Sequence, residues 1–169
     1  MKGAWILGLA AGALFAALAW MLAPLEPSVL ALQFAYTAPA FGQVIHAWSP
    51  AQLALFRAHL PWDMLLLLLY GAFGHRLVSR SAAWQRRDPG LRTMARWALP
   101  TAAFFDASEN AWHAWLTAAP RLDAAWAYPL AAGCATLKWV ALLGFAALLA
   151  WAAWSAARAD DRPPPAPPG

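Results

Sequence analysis

Between Gly3 and Ala23 the chain carries no charged side chain, and apolar runs of similar length return three more times before the C-terminal end. A helix of about 20 apolar residues crosses the ~30 Å hydrocarbon core of a bilayer. Such a segment must satisfy its own backbone hydrogen bonds, because lipid offers no partners. The composition agrees: 62% of the 169 residues are hydrophobic and 12% charged, against about 25% charged in soluble domains. The expectation is an all-α integral membrane protein, a four-transmembrane-helix bundle with a small extracytoplasmic lid between its first two helices. A single domain occupies residues 1–157, with spans at about 4–23, 62–80, 94–119 and 124–154 and the lid at 24–61. A disordered proline-rich tail, 158–169, follows.

Composition also excludes function classes. The net charge of +4 comes from arginines gathered in one short loop rather than on a folded basic face, so no nucleic-acid partner is expected. Cys134 is the sole cysteine, which removes an intramolecular disulfide, a Cys-based zinc site and a dithiol relay.

Local signals set the boundaries. Lys2 before an apolar run resembles a signal peptide, but the run is long and Trp20-Met21 stands where small cleavage residues belong, so an uncleaved first span is expected. Gly8 and Gly12 form a GxxxG that suits close helix approach, within the bundle or in a homodimer. Val29 to Thr37 alternates in the manner of a short extended segment. Ser49-Pro50-Ala51-Gln52 has the form of a capping box opening a helix to about Leu60. Asp88-Pro89-Gly90 reads as a turn, Pro100 as a kink in the third span, and Asp123 as the N-cap of the fourth. Spans three and four, joined by a short connection, must be antiparallel neighbours.

Orientation follows from the basic residues. Lys2, the arginine-rich second loop (Arg86, Arg87, Arg92) and Arg158 belong on one side, which the positive-inside rule makes cytoplasmic. The expected place is the bacterial cytoplasmic (inner) membrane, with both termini inside. Tryptophan, which prefers interfaces, agrees: Trp5, Trp84, Trp97, Trp151 and Trp154 fall at the inner face, and Trp20, Trp62, Trp112, Trp115 and Trp126 at the outer.

The third span is the exception to the apolar rule. Asp106, Glu109, Asn110 and His113 lie within an arc of about 100° on a helix, with Thr117 on the same arc. Such a stripe must face protein or a cavity, because buried acids cost several kcal/mol unless paired or protonated. At ~1.5 Å per residue, Asp106 lies about 18 Å and Lys138 about 20 Å from the outer surface, so the two can pair near the midplane. Glu109 then remains as a second acid, held by Asn110, His113 or Tyr70 or else protonated. The expected site is a polar channel in the outer half, with Asp63 and His113 at its mouth, Glu109 and Asn110 below, and Asp106 and Lys138 at the floor. Tyr70 and Gly74 share a helical face with Asp63 and supply a second wall. His46 and His59 are expected at the solvated surface, and His75 near the inner side.

Carboxylates and imidazole on one face suit a metal ion, but di-metal bundles draw such sets from several helices and only one helix supplies them here. Haem needs two histidines at equal depth, which His75 and His113 are not. No metal and no cofactor is therefore expected. An acid, an imidazole and a cation beside an apolar cavity fit acid–base work on a lipid-like molecule, with Glu109 and His113 as the catalytic candidates. Asp63, Tyr70, Asp106, Asn110 and Lys138 would serve as binding or electrostatic residues. The same residue types suit a small proton-coupled transporter, and a structural or accessory subunit would use them only to set helix register.

An Asp opening span two (Asp63), Asp-x-x-Glu-Asn in span three (Asp106 to Asn110) and Lys-Trp in span four (Lys138-Trp139) make a pattern. It resembles that of a group of short, uncharacterised bacterial four-transmembrane-helix proteins, over about Leu30 to Leu149. The resemblance implies a four-helix inner-membrane fold and carries no activity with it. Membrane lipids and an apolar small molecule are the expected partners.

Overall fold

The computed structural model describes residues 2–119, 121 and 123–160. Seven helices run through them, with no strand among the described residues: α1 (Lys2–Leu22), α2 (Val29–Gln33), α3 (Ala38–Ala47), α4 (Pro50–Arg80), α5 (Ala82–Gln85), α6 (Pro89–Leu116) and α7 (Ala127–Asp160). Among the long ones, α4 packs against both α1 and α6, and α6 packs against α7. Three of them, α1, α4 and α7, are long and apolar enough to cross a membrane. In α6 the polar stripe interrupts the apolar run, and its buried residues include Asp106, Glu109, Asn110 and His113.

Burial is inverted relative to a protein folded in water. Trp20 is 84% exposed and Leu9 73%, whereas Lys138 is 5% exposed and Glu109 1%. Apolar side chains facing outward on this scale are costly in water and suit hydrocarbon, while the ionised groups inside must compensate one another.

Helix ends follow the local chemistry. The Ser49 hydroxyl accepts from the Gln52 amide and the Gln52 side chain accepts from the Ser49 amide, a complete capping box with Pro50 in the first turn. Thr37 caps α3 through the Ala40 amide, and Asp88 caps α6 through the Leu91 amide. Midway along, α4 and α6 approach closely at two glycines. A Cβ at Gly71 would stand 3.2 Å from the Ala103 Cβ, and one at Gly74 only 2.7 Å from the Leu99 side chain. Small residues at such crossings let backbones approach where no hydrophobic force drives helices together.

Several sequence expectations change. Val29–Thr37 is not extended: Val29–Gln33 is a single helical turn and a half, and Leu30, Phe34 and Tyr36, which alternation put on one side, are all exposed. An isolated strand would leave its backbone groups without partners, whereas a helical turn pairs its own. The helix opened at Pro50 does not stop near Leu60 but continues through Pro61 to Arg80. Pro61 removes one backbone donor, and Phe56 and Leu60 before it and Leu66 and Leu67 after it are all buried. Asp88-Pro89-Gly90 is the start of α6 rather than a free turn.

Asp123 does not cap α7, which begins at Ala127. Starting there puts Pro129 in the first turn, where its missing N–H is not needed. The same helix runs to Asp160, beyond the expected start of the tail at 158; residues 161–169 of that tail, and Pro120 and Leu122 of the third connection, lie outside the described residues. Trp84 is buried among Leu77, Val78, Ala95, Leu99 and Phe145.

A Gly74→Val substitution should destabilise the detergent-solubilised protein by about 1–3 kcal/mol of overpacking, read as a lower melting temperature, since the Leu99 side chain 2.7 Å from the new Cβ must be displaced. Gly12→Ala, where a Cβ meets nothing within 4 Å, should leave it unchanged.

Candidate functional site: a buried ion cluster beside a lateral cavity

The α6 periodicity that aligns Asp106, Glu109, Asn110 and His113 turns all four inward, and all four are buried. α7 meets this stripe with Lys138. Its ammonium lies 3.0 Å from Asp106 Oδ1 and 2.6 Å from Glu109 Oε2, so one cation serves two carboxylates on successive turns. α4 meets it from the other side: Tyr70 donates its hydroxyl proton to Asp106 Oδ2 at 3.0 Å, and Asn110 Nδ2 donates to Asp63 Oδ2 at 2.7 Å. His113 Nδ1 stands 3.6 Å from Glu109 Oε1, and the Thr117 hydroxyl donates to the His113 carbonyl oxygen at 2.7 Å. Charge-assisted contacts of this kind are strong where water is excluded, and each group left alone there would be costly.

With α1 seated on α4 and α7 on α6, a cleft remains between α1 and α7. It encloses about 790 Å³, within the size range of small-molecule sites. Gly12, Phe15, Phe73, Leu142 and Leu149 form part of its apolar wall, and His59, Asp63, Tyr70, Asp106 and Lys138 supply its titratable groups. α2 closes one end: Gln33 Oε1 accepts from Trp139 Nε1 at 3.1 Å, and Tyr36 and Thr136 share a hydroxyl–hydroxyl bond.

The expected site residues thus divide into two groups. Asp63, Tyr70, Asp106 and Lys138 reach the cavity wall, while Glu109, Asn110 and His113 stand behind it. The Asp106–Lys138 pair is formed, but Glu109 is no separate acid, because the same ammonium holds it more closely. Tyr70 and Asn110 are bound to Asp106 and Asp63 rather than to Glu109. His113 is not at a mouth: Phe41 and Phe56 each lie 6.0 Å from its ring, and it is 2% exposed. The covering comes from α3 and the first turns of α4, whose positions no spacing within α6 could reveal.

His59 differs in the other direction. Expected at a solvated surface, it is buried and lines the cavity, with Nδ1 bonded to the Phe56 carbonyl oxygen. Its i, i+4 relation to Asp63 was the available signal. His46 is exposed, and His75 packs edge-on against Trp97 with ring centroids 5.4 Å apart. Gly8 and Gly12 both face the cavity, and a Cβ at Gly8 would meet the Phe73 ring at 2.8 Å. Among the described residues no group of three His, Cys, Asp or Glu side chains converges to hold a metal ion.

Compared with protein-family models, curated proteins and solved structures, the chain matches none.

Lys138→Met should destabilise the protein by about 3–5 kcal/mol, the cost of stranding buried partner charges, because Asp106 and Glu109 would face each other without a cation. Adding Asp106→Asn and Glu109→Gln to that variant should recover most of the melting temperature, as measured by thermal unfolding in a mild detergent.

Proposed function

We propose that this chain is a four-span protein of the bacterial inner membrane, and that its cleft binds a lipid-like or other apolar small molecule drawn from the bilayer. In this reading α6 is the fourth span, its ionised groups tolerated at depth because Lys138, Tyr70 and α4 compensate them. The lid is residues 24–61, formed by α2, α3 and the first turns of α4, and it covers the extracytoplasmic side. Arg86 and Arg87 between α5 and α6, and Arg92 in the first turn of α6, lie with Lys2 and Arg158 on the cytoplasmic side, as the positive-inside rule asks.

The observation that carries the reading is the cavity itself. Its wall is apolar over most of its length, and its few titratable groups are drawn from α4, α6 and α7. An apolar pocket with a few convergent polar groups is the usual form of a small-molecule site. A cluster that served helix register alone would have no need of a cavity beside it. Where chemistry accompanies binding, Asp106 and Tyr70 are the groups in reach of a bound molecule, and Glu109 acts through Lys138.

A second reading, proton-coupled transport, has one specific observation in its favour. His113, Glu109, Lys138, Asp106 and Tyr70 form an unbroken series of polar contacts, each within 3.6 Å of the next. Proton relays in membranes use such series.

Mass spectrometry of the gently extracted protein should reveal a co-purifying apolar molecule. Gly12→Phe, which directs a ring into the cleft from a position with open space around its Cβ, should abolish its retention without lowering the melting temperature. A protein that purifies empty, or a molecule retained equally by Gly12→Phe, would count against the cavity as its site.

A further inference from the structure

The charge inventory of the cluster does not balance. Asp63, Asp106 and Glu109 bring three carboxyl groups and Lys138 one ammonium, which already divides itself between Asp106 and Glu109. Asp63 is bonded to the neutral amide of Asn110 and has no salt-bridge partner among the described residues. It also lines the cavity, one turn along α4 from His59. With Nδ1 of His59 turned to the Phe56 carbonyl, a neutral His59 ring offers only its acceptor nitrogen elsewhere. Among the described residues Lys138 is the one lysine or arginine in the lining, and Asp106 and Glu109 already engage it.

Resting on the reading of the cleft as a small-molecule site, we infer that its ligand is a cationic amphiphile. A protonated amine would sit against Asp63, and an apolar body would lie along Phe15, Phe73, Leu142 and Leu149. The ammonium supplies the positive charge that Asp63 lacks and donates to its carboxylate. A carboxylate or phosphate head would instead be brought against Asp63 and Asp106 in a region of low dielectric, where like charges repel strongly. A neutral alcohol would fit the apolar part but leave Asp63 uncompensated. The cleft opens sideways between α1 and α7, so the amphiphile enters from the bilayer with its chain parallel to the helices.

The test uses three probes of one chain length, dodecylamine, dodecanol and dodecanoic acid, binding to the full-length protein in nanodiscs of a zwitterionic phospholipid at neutral pH. Gly12→Phe measures partition into the lipid that does not involve the cleft. The amine should bind at least about tenfold more tightly than the alcohol, as expected for one charge contact out of water, and the acid should show no binding beyond partition. Asp63→Asn, which keeps an oxygen for Asn110, should reduce the amine to the affinity of the alcohol, and Asp63→Glu should restore the preference. An alcohol or acid that binds as tightly as the amine overturns the inference while leaving the cleft as an apolar site. So does an amine preference that survives Asp63→Asn. If none of the three binds beyond the level seen with Gly12→Phe, the inference and the reading of the cleft fall together.

Discussion

Lys138 stands between Asp106 and Glu109, and much of the molecule is arranged around that ammonium. Inside a membrane, helices gain nothing by hiding apolar surface from one another, because lipid is as apolar as they are. What aligns them is close packing and the pairing of groups that lipid will not tolerate. Here a single cation on α7 reaches two turns of α6, 3.0 and 2.6 Å away. Tyr70 and Asp63 then hook α4 onto the same turns through Asp106 and Asn110. A shift of any one helix by a turn would break contacts on the other two. The glycines reinforce this register: Gly71 and Gly74 admit Ala103 and Leu99 at distances that a side chain would forbid.

α1 stands outside that network. It contributes no ionised side chain to the cluster and meets α4 through Ala4, Ala11 and Leu18, each buried and spaced by two helical turns. Leu66 of α4 completes the contact. Gly8 sits over the Phe73 ring, and Gly12 lines the cleft with open space about it. Because α1 leans on α4 and not on α7, the polar cluster keeps one side open toward the space between them. A bundle closed symmetrically around Lys138 would have had no cavity. The asymmetry of α1 is therefore what leaves the ion cluster beside an open cleft.

The lid region shows how far local signals carry. The capping box at Ser49 and the cap at Thr37 were legible because both halves of each bond lie within four residues. The alternation from Val29 to Thr37 misled because period two has meaning only where a neighbouring strand exists to pair with. His59 was misjudged because its burial depends on packing with Phe56 and on the cavity between distant helices.

The sequence by itself determined the all-helical class, the apolar runs, and the presence of an inward polar stripe on one helix. These follow from periodicity and from the cost of burying charge, which are properties of single segments. It also indicated that Asp106 and Lys138 lie at matching depths, since rise per residue is constant. Only the tertiary structure decided that Lys138 also takes Glu109, that His113 is sealed beneath Phe41 and Phe56, and that Asp63 faces a cavity with no cation of its own. Those outcomes depend on the rotation of each helix about its axis and on where α1 and α3 come to rest. Both are set by contacts between residues far apart in the chain, which no local pattern encodes.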